Sequence, residues 1–120
     1  MTELIDLDKI VRASKNLDKV SIITPFEKIN SYSQNYNSNI YFKREDLQKV
    51  KSFKIRGAYN KISNLNSFQA SNGLVCASAG NHAQGFAVSC KIFGYNGMVF
   101  MPKNTPNQKV KQVAVSYTHL

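Results

Sequence analysis

The chain has 120 residues, 42% of them hydrophobic and 19% charged. That is enough for one modest domain with a real core, though short for an enzyme that closes two domains around a cofactor, and it argues against disorder. The net charge of +9 is unevenly placed: all seven acidic residues lie at or before Asp46, and nine Lys or Arg follow with no Asp or Glu among them.

Those nine charges are scattered, with no aromatic-interleaved basic block, so nucleic-acid binding is not expected. Attraction of anionic metabolites, or an acidic partner surface not in this chain, accounts for the excess equally well. No run approaches the roughly 20 apolar residues that span a bilayer. The N-terminus lacks the apolar segment of a secretory signal, so no membrane partner is expected. Cys76 and Cys90 have no metal-ligand spacing. They are read as two buried thiols in a reducing cytoplasm, and no metal is expected.

Taken in chain order, Leu4, Leu7, Ile10, Val11 and Leu17 recur near helical spacing and predict a helix over residues 6–16. Residues 21–25 read as extended, since Pro25 disfavours a helical Thr24. The Asn- and Ser-rich residues 30–39 read as loop or frayed helix end, and residues 39–44 as a strand. Ser52 is placed to cap a helix over residues 53–65, with Ile55, Tyr59 and Ile62 on its apolar face. Gly73 introduces a short buried strand over residues 74–77. Residues 78–81 form a tight turn into a helix over residues 82–93, which Gly94 stops. A further strand is predicted over residues 97–101, and Pro106 opens a last helix over residues 107–115. From residue 39 the order β-α-β-α-β-α implies an α/β fold with a parallel sheet flanked by helices.

Two segments carry candidate chemistry. The first is KREDLQ at 43–48 followed by SFKIRGA at 52–58. Lys54 falls in the first turn of a helix, beside Phe53 and Ile55, where the dipole, nearby cations and apolar neighbours disfavour its charge and favour a reactive amine. An amine of that kind forms a Schiff base with an aldehyde. A solvated surface lysine is the alternative that placement alone leaves open. The second segment is CASAGNHAQG at 76–85. A strand, a small-residue turn and a helix start offer free backbone N–H groups to a carboxylate or phosphate, with the Ser78 hydroxyl and Asn81 amide as further donors. A capped turn without ligand fits that segment as well. His82 reads more naturally as a structural histidine than as a proton shuttle.

Together, YFKREDLQ, SFKIRGAYNKI and CASAGNHAQGFA resemble the pyridoxal-phosphate enzymes of the tryptophan synthase β-subunit fold, and within them the biosynthetic threonine dehydratases. Thr24-Pro25 and MPKNTPNQKVKQV at 101–113 extend the resemblance in the same order. It implies that Lys54 carries the cofactor pyridoxal 5'-phosphate as a Schiff base, that Phe53 packs beside the ring, and that Asn81 hydrogen-bonds the ring hydroxyl. It implies further that Ser78, Ala79, Gly80, Asn81 and His82 grip the substrate carboxylate. Residues 1–46 would belong to the larger cofactor domain and residues 47–120 to most of the smaller one.

The reaction implied is β-elimination of L-threonine, possible also with L-serine, to a 2-oxo acid and ammonia in isoleucine biosynthesis, by a homotetramer when complete. A serine dehydratase or serine racemase is the neighbouring alternative. A basic binding module that keeps the motifs without catalysis is the alternative from another class. The glycine-rich phosphate loop of that family, and its serine at the pyridine nitrogen, have no counterpart in residues 1–120, and the ending at 115–120 departs from the family pattern. The expectation is therefore a truncated or misjoined copy of a longer enzyme, which by itself binds cofactor poorly and is inactive.

Overall fold

The structure, a computed structural model, describes residues 6–114. Leu4 of the predicted first helix and the departure at 115–120 lie outside those residues. Helix α1 spans Leu7–Leu17, and the Asp6 carboxylate caps it by accepting from the Lys9 amide at 2.8 Å. Asp8 in its first turn and Lys15 in its last oppose the helix dipole. The chain then runs extended to Pro25, as the proline requires.

The residues after Pro25 depart from the prediction. Strand β1, Phe26–Lys28, pairs antiparallel with β2, Tyr41–Lys43, and the short helix α2, Asn30–Asn35, links them. β2 is the strand foreseen over 39–44, but it does not join the parallel sheet. Its partner is the stretch after Pro25, Phe26-Glu27-Lys28, whose three residues hold a single apolar-to-polar step, too little to register as strand. Backbone bonds from the Ile29 amide to the Ile40 carbonyl, 2.9 Å, and from the Arg44 amide to the Pro25 carbonyl, 3.0 Å, close the hairpin at both ends.

The parallel sheet consists of β3, Leu74–Ala77, and β4, Gly97–Phe100, in the register Leu74↔Gly97 to Ala77↔Phe100. Helix α3 (Lys54–Ser63), the short α4 (Ser67–Ala70), α5 (Asn81–Phe93) and α6 (Asn107–Ala114) complete the order β-α-α-β-α-β-α after β2. The α/β class with a parallel sheet and flanking helices therefore stands. α5 is the centre of the packing. Its Ala83, Gly85, Phe86, Ala87, Val88, Ser89 and Cys90 are buried, and all three apolar clusters of the core draw on it. One cluster joins Val88 to Leu17, Val50, Ile55 and Tyr59, tying α1 and α3 to α5. Cys76 and Cys90 are both buried free thiols in a second cluster with Ile62 and Phe86. Gly94 ends α5 in the left-handed region at φ 68°, the conformation in which a side chain would be strained.

Candidate functional site

The route to Lys54 starts in a single turn of 3-10 helix, Glu45–Leu47. The Lys51 amide bonds the Gln48 carbonyl at 2.8 Å, and Lys51 itself takes a left-handed φ of 56°, which reverses the chain into α3. α3 begins at Lys54, with Phe53 in the capping position and no side-chain cap. Ser52, the predicted cap, stands one residue too early. Its hydroxyl is buried and has no hydrogen-bond partner among the described residues. Lys54 is exposed, and its ammonium nitrogen lies 5.1 Å from the centre of the Phe53 ring, itself 57% exposed. The apolar surroundings foreseen for this lysine are thus limited to one ring face within the described residues.

The second segment behaves as a braced loop. The Ser78 amide donates to the Phe100 carbonyl at 3.0 Å, which fixes the end of β3 to β4. The Ser78 hydroxyl accepts from the Gly80 amide at 3.2 Å, so it shapes the turn as well as facing it. Gly80 caps α5 in extended conformation and supplies no side-chain acceptor, which leaves the amides of Asn81 and His82 at the positive end of a 13-residue helix. A Cβ built on Gly80 would meet no atom within 4 Å, so the space in front of this turn is open. Asn81 and His82 are both exposed. His82 turns toward a groove of about 330 Å³ whose other walls include Gly57, Lys61, Ile62 and Phe86.

Packing of α3 on α5 unites the two segments. At the crossing, a Cβ on Gly85 would lie 3.0 Å from the Lys54 carbonyl oxygen and 3.2 Å from the Ala58 Cβ. Only hydrogen fits there. Asn81 is one turn before Gly85 on the same face of α5, about 6 Å along the axis. The start of α3 at Lys54 therefore lies against α5 one turn from Asn81.

The sequence reading did not assign roles within KREDLQ, and here the structure adds a polar cluster. Arg56, in the first turn of α3, grips both oxygens of Glu45 at 2.7 and 2.8 Å. The buried Thr24 hydroxyl donates to Glu45 at 2.7 Å, and Lys43 donates to the Thr24 carbonyl at 2.6 Å. Gln48, fully buried, donates to the Ile22 carbonyl at 2.9 Å and accepts from the Ile22 amide at 3.1 Å. Arg56 holds the Glu45 carboxyl down at about 2, against the cost of burial, with Thr24 assisting. The adjacent Arg44 binds Asp46 and Glu27, so each of these three carboxylates is taken by an arginine. The repeated pairing of charged with polar residues in KREDLQ and KIR was the available signal.

Chemically, the arrangement offers a primary amine beside an aromatic face, an amide side chain, and uncapped backbone donors around open space. Such a set suits an aldehyde with a planar ring and an anionic group. No group of three or more His, Cys, Asp or Glu that would hold a metal occurs among the described residues, and no helix there is long and apolar enough to cross a membrane.

Residues 19–116 match the family described as pyridoxal-phosphate dependent enzyme. The chain is 56% identical over 110 residues to the biosynthetic L-threonine dehydratase IlvA of Bacillus subtilis, covering 92% of this chain and 26% of that protein. The same enzyme of Halalkalibacterium halodurans is 50% identical over 109 residues, 91% of this chain and 26% of that one. Among solved structures, threonine deaminase isoform 2 from Solanum lycopersicum superposes with a TM-score of 0.78 at 37% identity, covering 93% of this chain and 32% of that one. Maize serine racemase superposes at 0.89 with 34% identity, covering 98% and 36%. The chain thus spans about a quarter of the length of the curated relatives it matches.

Proposed function

This chain belongs to the family of pyridoxal-phosphate dependent enzymes, and from that premise we propose that it is the lysine-bearing part of an L-threonine dehydratase. The overall reaction is β-elimination, L-threonine giving 2-oxobutyrate and ammonia in isoleucine biosynthesis. Within such an enzyme, residues 1–46 are assigned to the larger domain and residues 47–120 to the smaller one. The homotetramer and the cytoplasmic location belong to the same reading, the latter supported by two free buried thiols.

The single observation that carries the proposal is the seating of Lys54: first residue of α3, exposed, and pressed by its backbone against Gly85 so that the uncapped start of α5 lies alongside. Bound there, pyridoxal phosphate supplies the electron sink that makes the Cα–H bond of an amino acid labile. The remaining roles fall to the chain. Lys54 would hold the cofactor aldehyde through its amine and, when that amine is free, would take the Cα proton. The Asn81 side chain would hydrogen-bond the ring hydroxyl, and Phe53 would pack beside the ring. The Ser78-Ala79-Gly80 turn with the Asn81 and His82 amides receives the substrate carboxylate, which fixes the Cα–H bond relative to Lys54, and positioning of that kind is worth several kcal/mol.

The test is direct. Pyridoxal phosphate is added to the full chain, the adduct is reduced with borohydride, and the modified lysine is located by peptide mapping. Modification at Lys54, and its loss in Lys54→Ala, is the expected result, with turnover lost when the same substitution is made in the complete enzyme; an adduct on another lysine overturns the proposal. The high TM-score with maize serine racemase favours a second reading, a serine dehydratase or serine racemase. The 56% identity with a threonine dehydratase weighs against it. Product analysis with threonine and serine separates the two.

A further inference from the structure

We infer that Glu45, Arg56 and Thr24 form a positioning clamp for Lys54, locking the extended segment 21–24 to the first turn of α3; the inference rests on Lys54 being the cofactor lysine. The first turn of α3 carries two cations, Lys54 and Arg56, at the end of a helix that repels them, and has no side-chain cap to hold it. Left alone, such a turn frays.

Arg56 is anchored instead by two parallel bonds of 2.7 and 2.8 Å to Glu45. Paired N–H donors on one carboxylate fix orientation as well as distance. Glu45 is in turn oriented by the Thr24 hydroxyl at 2.7 Å. Arg56 also reaches the Ile22 carbonyl at 3.4 Å, the same carbonyl that Gln48 holds at 2.9 Å. Two segments distant in sequence, the turn at Glu45 and residues 21–22, therefore converge on the residue two places after Lys54. Gly85 bears on the Lys54 backbone from the opposite helix. The backbone of Lys54 is thus held on both sides: α5 by contact, and segment 21–24 through Arg56. What remains mobile is the side chain that meets the aldehyde.

None of these three residues comes within 4 Å of a Cβ built on Gly80. They act through Lys54, and their loss should show in how fast that amine reacts rather than in whether the protein folds. A displacement of about 1 Å at a reacting group can cost on the order of 100-fold in rate.

The experiment compares Glu45→Gln, Arg56→Lys and Thr24→Val with the unaltered full chain. Pyridoxal phosphate is added for short intervals, borohydride stops the reaction, and adducts at Lys54 and at Lys49, Lys51 and Lys61 are quantified by peptide mapping. Circular dichroism and a thermal melt report the fold. The expected result is adduct formation at Lys54 slowed about ten-fold in Glu45→Gln and in Arg56→Lys, since a lysine keeps the charge but not the fork. A smaller loss of about five-fold is expected in Thr24→Val, which removes one hydrogen bond. Rates at the other lysines stay unchanged.

Lys54 rates equal to the unaltered chain in folded Glu45→Gln and Arg56→Lys overturn the clamp. Should Glu45→Gln fail to fold, Arg56→Lys and Thr24→Val decide by the same rates. An unaltered chain that is modified elsewhere than Lys54 overturns the cofactor assignment, and the clamp with it.

Discussion

Gly85 and Lys54 meet backbone to backbone: the missing side chain of one lets the carbonyl of the other approach to where a Cβ would stand 3.0 Å away. This contact sets the separation of α3 and α5 at the turn where the Lys54 side chain emerges. Ser89 sits one turn further along α5, and its buried hydroxyl donates to the Gly85 carbonyl at 2.7 Å. That hydroxyl sits within the packed interior of the helix and needs no partner from outside it.

Gly85→Ala should therefore destabilise the protein although alanine is the better helix former. Alanine gains about 1 kcal/mol of helix propensity. Against it, the added methyl meets the Lys54 carbonyl group and the Ala58 Cβ. Both belong to a packed helix and cannot swing away as the end of a flexible side chain would. Overpacking of this kind costs about 1–3 kcal/mol. The clash should win by about 1 kcal/mol in urea unfolding, and adduct formation at Lys54 should slow because the helix carrying it is pushed aside.

Gly80→Ala makes the opposite test. Its Cβ would meet nothing, and its backbone is extended, a conformation open to any residue. Stability should stay within about 0.5 kcal/mol of the unaltered chain. The methyl would nevertheless occupy the space before the α5 amides, so binding of the substrate carboxylate should weaken. A rise in the threonine KM of the full enzyme with an unchanged thermal midpoint is the expected pair of results.

The sequence made the elements that build the site legible, because each rests on local chemistry. Helical spacing from Leu7 to Leu17, Gly94 at the end of α5, and the apolar runs at β3 and β4 are all read within a few neighbouring residues. What it hid depends on distant partners. β1 became visible only once β2 lay beside it. The Ser52 cap failed because the start of α3 is fixed by Arg56 reaching Glu45, eleven positions back. Nor does any local pattern show that Gln48 closes on Ile22, 26 positions away.

That last pair supports a further prediction. Gln48 is fully buried and serves both the amide and the carbonyl of Ile22. Gln48→Leu keeps much of the volume but removes the partner of the Ile22 amide and leaves the Ile22 carbonyl with only the longer Arg56 contact at 3.4 Å. The expected loss in urea unfolding is about 1–3 kcal/mol. Faster amide hydrogen exchange should appear at Ile22, with α5 keeping its protection. A loss below about 0.5 kcal/mol would mean that water replaces the amide and that the bonds with Arg56, Glu45 and Lys43 suffice to hold segment 21–24.

Stability should also fall in acid through one identifiable group. The Glu45 carboxyl is lowered from 4.5 to about 2, chiefly by Arg56 and then Thr24. A depressed carboxyl favours the folded state fully above its unfolded value, and that contribution fades as pH drops from about 4.5 through about 2. With 15% of the side chain exposed and some solvent screening of the pair, the contribution is on the order of 2 kcal/mol. Glu45→Gln carries no ionisable group at this position. Its unfolding free energy should be lower than that of the unaltered chain at pH 7, and the gap should narrow below about pH 4.5 and be mostly gone at about pH 2 as Glu45 becomes protonated. Urea unfolding of both proteins across that range measures it; curves that stay parallel down to pH 2 would show that the Arg56 fork contributes nothing to folding.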